Sequence, residues 1–128
     1  MFDEERFKLL IKEIQRYPGM YFGKPSFSQF VDFLVGFQTA YDLMDIPLKL
    51  FPGFYRFLIE KYPSSINKHQ FAIVRQQCKS DREAFYFFFE LLDEFLENGG
   101  KLSVIHEENI YEEVCEESFE NVEENRQD

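Results

Sequence analysis

Apolar residues recur every three or four positions along most of this chain, the spacing that places side chains on one face of an α-helix. The first stretch puts four residues on such a face: Phe7, Leu10, Ile11 and Ile14. Asp3 precedes the stretch as a suitable N-cap, and Pro18 and Gly19 follow it as residues that end helices. We therefore predict an amphipathic helix that begins at Asp3 and ends before Pro18.

The second stretch begins after Ser26, which is again a suitable N-cap. Its apolar face is wide and largely aromatic: Phe27, Phe30, Val31, Leu34, Phe37 and Tyr41, extended by Phe33 and Leu43. Gly36 lies in the middle, where glycine costs about 1 kcal/mol relative to alanine, so we expect it to mark a close contact between helices. Residues 45–50 are predicted to be a connection.

Three further helices are predicted between residues 52 and 98. Two short ones cover 52–62 and 69–80 with a polar loop between them, and Ser80 or Asp81 caps a longer one that ends at Gly99 and Gly100. The longer helix is apolar over most of its circumference: Ala84, Phe85, Phe87, Phe88, Phe89, Leu91, Leu92, Phe95 and Leu96. This composition predicts that it is the central helix. Its remaining stripe is acidic: Glu83, Glu90, Asp93, Glu94 and Glu97.

The last part of the chain combines many glutamates with a helical apolar spacing. Its apolar positions are Ile110, Tyr111, Val114, Cys115, Phe119 and Val122. We expect residues 107–128 to form an acidic amphipathic segment that docks as a helix to about residue 120 and frays beyond it. Residues 102–105, LSVI, are expected either to pair as a short strand or to pack in an extended form. The predicted fold is all-α, a single-domain bundle of about five to six helices formed by residues 1–106.

Composition and charge change the picture in two ways. Seventeen Phe and seven Tyr in 128 residues predict a Phe-rich core that needs no metal or disulfide to fold. Residues 1–106 hold 14 acidic against 13 basic residues, a net of −1, while 107–128 hold 10 against Arg126 alone, a net of −9. Direct binding to nucleic acid is therefore not expected, since phosphate affinity depends on Lys and Arg. The acidic segment favours a basic protein partner.

Catalytic and metal-binding motifs are missing from the sequence. His69 and His106 are the only histidines and stand 37 positions apart. Cys78 and Cys115 lack the spacing of a metal or redox motif, so we expect half-buried, reduced thiols, with an internal disulfide as the alternative. One hydrolase hypothesis remains, in which Glu90 pairs with Asp93 or Glu94 as acid and base. A stripe of charged residues that faces water explains these side chains better. We expect no enzyme, no cofactor and no metal site.

The start of the chain is acidic where a secretory signal carries basic residues, and no apolar run approaches the roughly 20 residues of a membrane span. A cytoplasmic location is therefore expected.

Residues 16–25, RYPGMYFGKP, place four large side chains in a segment that is predicted to be a connection between helices. The four side chains are Tyr17, Met20, Tyr21 and Phe22. We expect Met20 and Phe22 to fill the gap between the first two helices, because four exposed side chains of this kind would form an adhesive patch. The alternative is that part of this patch is a binding surface.

Two segments carry a resemblance to a known family. IQRYPGMYFGKPSFSQFVDFLVGFQTA resembles the "RPGMYLG, spacer, L-x-x-F-x-x-G-Y" segment of small bacterial proteins encoded beside toxin genes, and EAFYFFFELLDEF resembles a later helix of the same group. The resemblance implies an immunity protein of a polymorphic-toxin or contact-dependent growth-inhibition system. Such proteins stay in the cytoplasm and neutralise a cognate toxin, frequently a nuclease. The resemblance assigns no inhibitory residue to this chain.

Charge and resemblance together lead to one functional hypothesis, a stoichiometric inhibitor of a basic nuclease toxin, with an RNase favoured. The candidate partner-binding residues are Glu107, Glu108, Tyr111, Glu112, Glu113, Glu116, Glu117, Phe119 and Glu120 in the last segment, with Asp93, Glu94, Glu97 and Tyr21 in the bundle. Tyr21, Tyr111 and Phe119 are the candidate apolar anchors. The alternative is an acidic helical adaptor that binds a different basic protein.

Overall fold

The computed structural model describes residues 2–105, and within them the fold is a small helical bundle. The helices are α1 (Glu4–Arg16), α2 (Pro18–Phe22), α3 (Phe27–Leu43), α4 (Phe54–Lys61), α5 (Gln70–Gln76) and α6 (Asp81–Glu97). A 3₁₀ turn (Pro63–Ser65) follows α4, and two short strands, β1 (Leu48–Leu50) and β2 (Ser103–Ile105), complete the fold. The predicted all-α class with a Phe-rich core is confirmed. The segment 107–128 lies outside the described residues.

Three helices begin at the residues that the sequence predicts. The side chains of Asp3, Ser26 and Ser80 each accept a hydrogen bond from the backbone N–H three positions later. These caps satisfy donors that the first helical turn leaves unpaired. Asp81 adds a tertiary link, because its carboxylate accepts from Ser26 Oγ at 2.8 Å and from Ser28 N–H at 2.9 Å. The start of α6 is therefore joined to the start of α3.

The core is built around α6, as its apolar circumference predicts. Phe88 lies at the centre and is fully buried. Its ring is within 6.1 Å, centroid to centroid, of six other rings: Phe27, Phe30, Phe51, Phe54, Phe71 and Phe89. Many of these pairs meet edge to face, the arrangement that aromatic quadrupoles favour. Helices α3, α4 and α5 therefore converge on one side chain of α6.

Several details of the sequence prediction are wrong. Residues 18–22 form the short helix α2 rather than an irregular connection, because Pro18 occupies the first helical turn, where its missing N–H costs nothing. Gly36 makes no close helix contact, since a Cβ built there meets nothing within 4 Å. Leu43 does not extend the buried face of α3, because it is 80% exposed.

The connection predicted over residues 45–50 contains a strand. β1 pairs antiparallel with β2 in the register Leu48 with Ile105 and Leu50 with Ser103. The strand alternative for residues 102–105 is therefore the correct one. On the other side of β1, Gln38 of α3 donates to Leu48 C=O and accepts from Leu50 N–H. The small sheet thus joins the end of α6 to the side of α3.

Candidate interaction surface

Tyr21, the candidate anchor within the bundle, lies on α2 and is 38% exposed. Its hydroxyl donates a hydrogen bond to the carboxylate of Glu13 on α1. This bond, followed by partial burial and the charge of Glu13, raises the pKa of the Tyr21 hydroxyl above its usual value. The ring of Tyr21 is therefore held in one orientation against α1 while part of it remains open to solvent.

The neighbours of Tyr21 divide into covered and exposed side chains. Phe22 packs against Phe30 and Phe33 of α3, with ring centroids 6.2 and 6.5 Å apart, and so fills the gap as predicted. Met20 does not fill it, because it is 76% exposed. In a five-residue helix, Met20 and Phe22 point in different directions, and only Phe22 reaches the core. Tyr17, Met20 and Tyr21 form an exposed apolar patch, here called the α2 patch.

The three acidic candidates on α6 differ in their surroundings. Asp93 and Glu97 are exposed and stand one helical turn apart. Glu94 instead accepts a hydrogen bond from Lys61 Nζ of α4 at 2.7 Å, and this bond raises the pKa of the Lys61 ammonium. Asp93 and Glu97 are accessible to a partner, whereas Glu94 can bind one only after its ion pair with Lys61 is broken. The ion pair engages Glu94, one of the two partners that the hydrolase hypothesis gives to Glu90, and leaves the other, Asp93, exposed.

Tyr21 and the acidic residues of α6 are not brought together by any hydrogen bond, ion pair or ring contact within residues 2–105. The candidates of the last segment, from Glu107 to Glu120, lie outside the described residues. The described part of the chain ends at Ile105, the last residue of β2, which is 39% exposed. The last described residue is therefore partly exposed and belongs to a strand that β1 holds in place.

A groove at this point was not predicted from the sequence. It has a volume of about 650 Å³ and lies between the start of α1, the end of α6 and β2. Its apolar lining comes from Phe2, Leu96 and Leu102, and Lys8 and Lys101 add charge. The LSVI segment after the two glycines was a sequence signal for one wall of the groove, because it suggested a strand. Its partner β1 could not be predicted, because β1 has only three residues and follows Pro47.

The remaining candidates for chemistry are the cysteines, the histidines and groups of possible metal ligands. Cys78 is a free, half-buried thiol as predicted, and burial raises its pKa. Cys115 and His106 lie outside the described residues. Within residues 2–105, no group of three or more His, Cys, Asp or Glu side chains is arranged to hold a metal ion. None of the helices in this range is long and apolar enough to cross a membrane.

Comparison of the chain with models of protein families, with curated proteins and with solved structures finds no match.

Proposed function

We propose that this protein is an immunity protein, which binds a cognate toxin of basic charge and blocks its active site or substrate-binding surface. The favoured toxin is a nuclease that cuts RNA, and the complex contains one copy of each protein in the cytoplasm. The observation that carries the proposal is the charge contrast along the chain, −1 over residues 1–106 and −9 over 107–128.

A nuclease attracts its polyanionic substrate with Lys and Arg. Clustered glutamates occupy the same positive field, and complementary charge accelerates association and suppresses wrong partners. In the chain, the acidic segment follows β2, and β2 lines a groove of about 650 Å³. The resemblance of residues 14–40 and 83–95 to immunity proteins supports the same function independently of charge.

Affinity needs a buried anchor in addition to charge, because exposed charges alone contribute little. The α2 patch supports Tyr21 in this role, since its ring is fixed by Glu13 and flanked by exposed Met20. Tyr21→Ala is expected to weaken the complex about 30-fold, the size of an ordinary hot spot of about 2 kcal/mol. Tyr21→Phe removes only the bond to Glu13 and is expected to change the affinity less than threefold.

The proposal is tested by calorimetry of the full chain with the toxin domain encoded beside its gene, at about 0.1 M and 0.5 M salt. We expect a one-to-one complex whose affinity falls at least about tenfold at the higher salt. The electrostatic variant replaces seven glutamates by glutamine: Glu107, Glu108, Glu112, Glu113, Glu116, Glu117 and Glu120. Its control neutralises three exposed acids of the bundle: Asp32, Asp42 and Glu60.

Loss of affinity in the glutamine variant but not in its control supports blocking by the acidic segment. A tight complex that neither variant affects removes this mechanism and keeps the inhibitor function. The absence of any complex with the toxin domain overturns the immunity function. A search among other basic proteins then tests the adaptor alternative.

A further inference from the structure

Acidic residues outnumber basic ones along most of the central helix α6. Residues 83–100 contain no Lys or Arg but five acids: Glu83, Glu90, Asp93, Glu94 and Glu97. Glu83 lies in the first turn, where the positive end of the helix dipole favours an acid, and Glu94 is in an ion pair with α4. The exposed carboxylates of Glu90, Asp93 and Glu97 form no hydrogen bond or ion pair in the described part of the chain.

The position of these three carboxylates is unfavourable for the helix itself. Glu97 lies in the last turn of α6 and Asp93 one turn earlier, at the end where the helix dipole is negative and favours a cation. Acids that are three or four positions apart also repel one another, as Glu90, Asp93 and Glu97 do. The last turn of α6 contains no basic residue, whereas α1, α4 and α5 each have one there. Local choices that cost stability are expected at functional sites, and a cation from a partner would relieve this one.

The surfaces on either side of this stripe contribute no net charge. The groove beside β2 balances two acids against two lysines: Glu4, Glu5, Lys8 and Lys101. A hollow of about 520 Å³ between α4 and the end of α6 does the same with Glu60, Glu94, Arg56 and Lys61. Arg82 is the basic residue of α6 nearest to Glu90, and it lies about 12 Å away along the helix axis. The negative charge at the end of α6 therefore comes from Glu90, Asp93 and Glu97.

An exposed aromatic ring continues this stripe towards the start of the helix. Tyr86 is 40% exposed and stands one turn before Glu90, so the two side chains are neighbours on the helix surface. The guanidinium of Arg82 lies 5.7 Å from the centre of the Tyr86 ring, and the buried ring of Phe85 meets the same ring edge to face. The other basic side chain near this end, Arg75 of α5, donates to Cys78 C=O at 3.0 Å. Tyr86 is therefore a fixed, partly exposed ring of the kind that anchors protein interfaces.

We propose that the outer face of α6, formed by Tyr86, Glu90, Asp93 and Glu97, is a docking surface for a basic segment of a protein partner. This inference rests on the proposed function, because the partner is the basic toxin. Arginine and lysine side chains of the segment pair with the three carboxylates, and the apolar stem of one of them packs on the ring of Tyr86. The bundle thus contributes a binding surface of its own, and Tyr86 and Glu90 join the candidate binding residues.

The first test compares two variants of the full chain that each remove three negative charges from the bundle. One combines Glu90→Gln, Asp93→Asn and Glu97→Gln, and the control is the bundle variant defined above, which removes three charges elsewhere. Calorimetry with the toxin domain at about 0.1 M salt is expected to show at least about tenfold weaker binding for the first variant and less than threefold for the control. Equal affinities of the two variants overturn this proposal and leave the proposed function in place. The absence of any complex with the wild type overturns both.

The second test measures the free protein, in which the three carboxylates repel one another and oppose the helix dipole. The variant that neutralises Glu90, Asp93 and Glu97 is therefore expected to unfold at a higher urea concentration than the wild type, although it binds the toxin domain more weakly. Residues that only support the fold would change stability and affinity in the same direction. A lower urea midpoint together with weaker binding assigns the three residues to the fold and overturns the proposal.

The third test isolates the aromatic ring of the outer face. Tyr86→Ala removes the ring on which the partner packs and is expected to weaken the complex about tenfold. Tyr86→Phe keeps the ring and is expected to change the affinity less than threefold. A Tyr86→Ala variant that binds the toxin domain like the wild type overturns the proposal. Unfolding in urea verifies that both variants remain folded.

Discussion

The side-chain amide of Gln38 takes the place of a neighbouring strand for Leu50. Its oxygen accepts from Leu50 N–H at 3.2 Å, and its nitrogen donates to the carbonyl of Leu48. A primary amide offers one acceptor and two donors, so one side chain satisfies both outward backbone groups of β1. The helix α3 thereby closes the sheet on one side and leaves β2 as its only other edge within residues 2–105.

Gln38→Leu keeps the size of the side chain but leaves Leu50 N–H and Leu48 C=O without their partner. Buried backbone groups that lose a partner cost about 1–3 kcal/mol, so we expect a decrease of that size in the free energy of unfolding. Urea unfolding followed by circular dichroism measures it. Gln38→Glu keeps the acceptor for Leu50 N–H but replaces the donor to Leu48 C=O by a second acceptor, so it too should lose stability. A wild-type midpoint for Gln38→Leu would show that water replaces the amide.

Replacement by alanine is expected to change the stability of the protein in opposite directions at two glycines, Gly36 and Gly100. Gly36 is in the middle of α3 with open space around it, so Gly36→Ala should stabilise the protein by about 0.5–1 kcal/mol through helix propensity. At Gly100 an added Cβ would lie 2.5 Å from the ring of Phe95, which is buried against Phe54. Gly100→Ala should therefore destabilise by about 1–3 kcal/mol.

Thermal unfolding of the two glycine variants, measured side by side, tests this contrast. A stabilised Gly100→Ala would mean that the end of α6 moves away from Phe95 at little cost. A destabilised Gly36→Ala would mean that α3 has a contact at this position after all.

Phe88 is the residue at which truncation should cost most. Phe88→Ala removes a ring that six other aromatic side chains surround, and large-to-small changes of this kind cost about 3–5 kcal/mol. Tyr86→Ala, on the exposed side of the same helix, should cost less than about 1 kcal/mol. Chemical unfolding of both variants measures the difference. Similar losses would contradict the central position of Phe88.

His69 is expected to make stability depend on pH. Its Nδ1 accepts from Phe71 N–H at 3.3 Å and caps α5, and partial burial lowers its pKa below the usual 6.5. The unfolded chain therefore binds a proton more readily than the folded protein just below pH 6.5. This contribution to stability is complete above pH 6.5 and decreases as the pH falls through that value towards the lower pKa of the folded state.

The measurement is the urea midpoint of wild type and of His69→Asn between pH 5 and 7.5. Asparagine also caps helices and does not titrate in this range, so the variant should lose less stability on acidification than the wild type. Parallel pH profiles would assign the dependence to other groups.

The sequence alone determined the helices that carry strong local signals. Asp3, Ser26 and Ser80 cap their helices through their own side chains, and the Phe-rich circumference of α6 has no place except at the centre. These features depend on neighbours three or four positions away, which a sequence displays directly. The charge contrast between the bundle and the last segment is also a property of the sequence, and the proposed function follows from it.

Only the tertiary structure decided the features in which distant residues meet. β1 has three residues, too few for a periodic pattern, and it exists because β2 and Gln38 supply hydrogen bonds from either side. Whether Met20 or Phe22 reaches the core depends on the angle at which α2 leaves α1. The groove beside β2 requires three separate parts of the chain to converge, and no local spacing encodes that convergence.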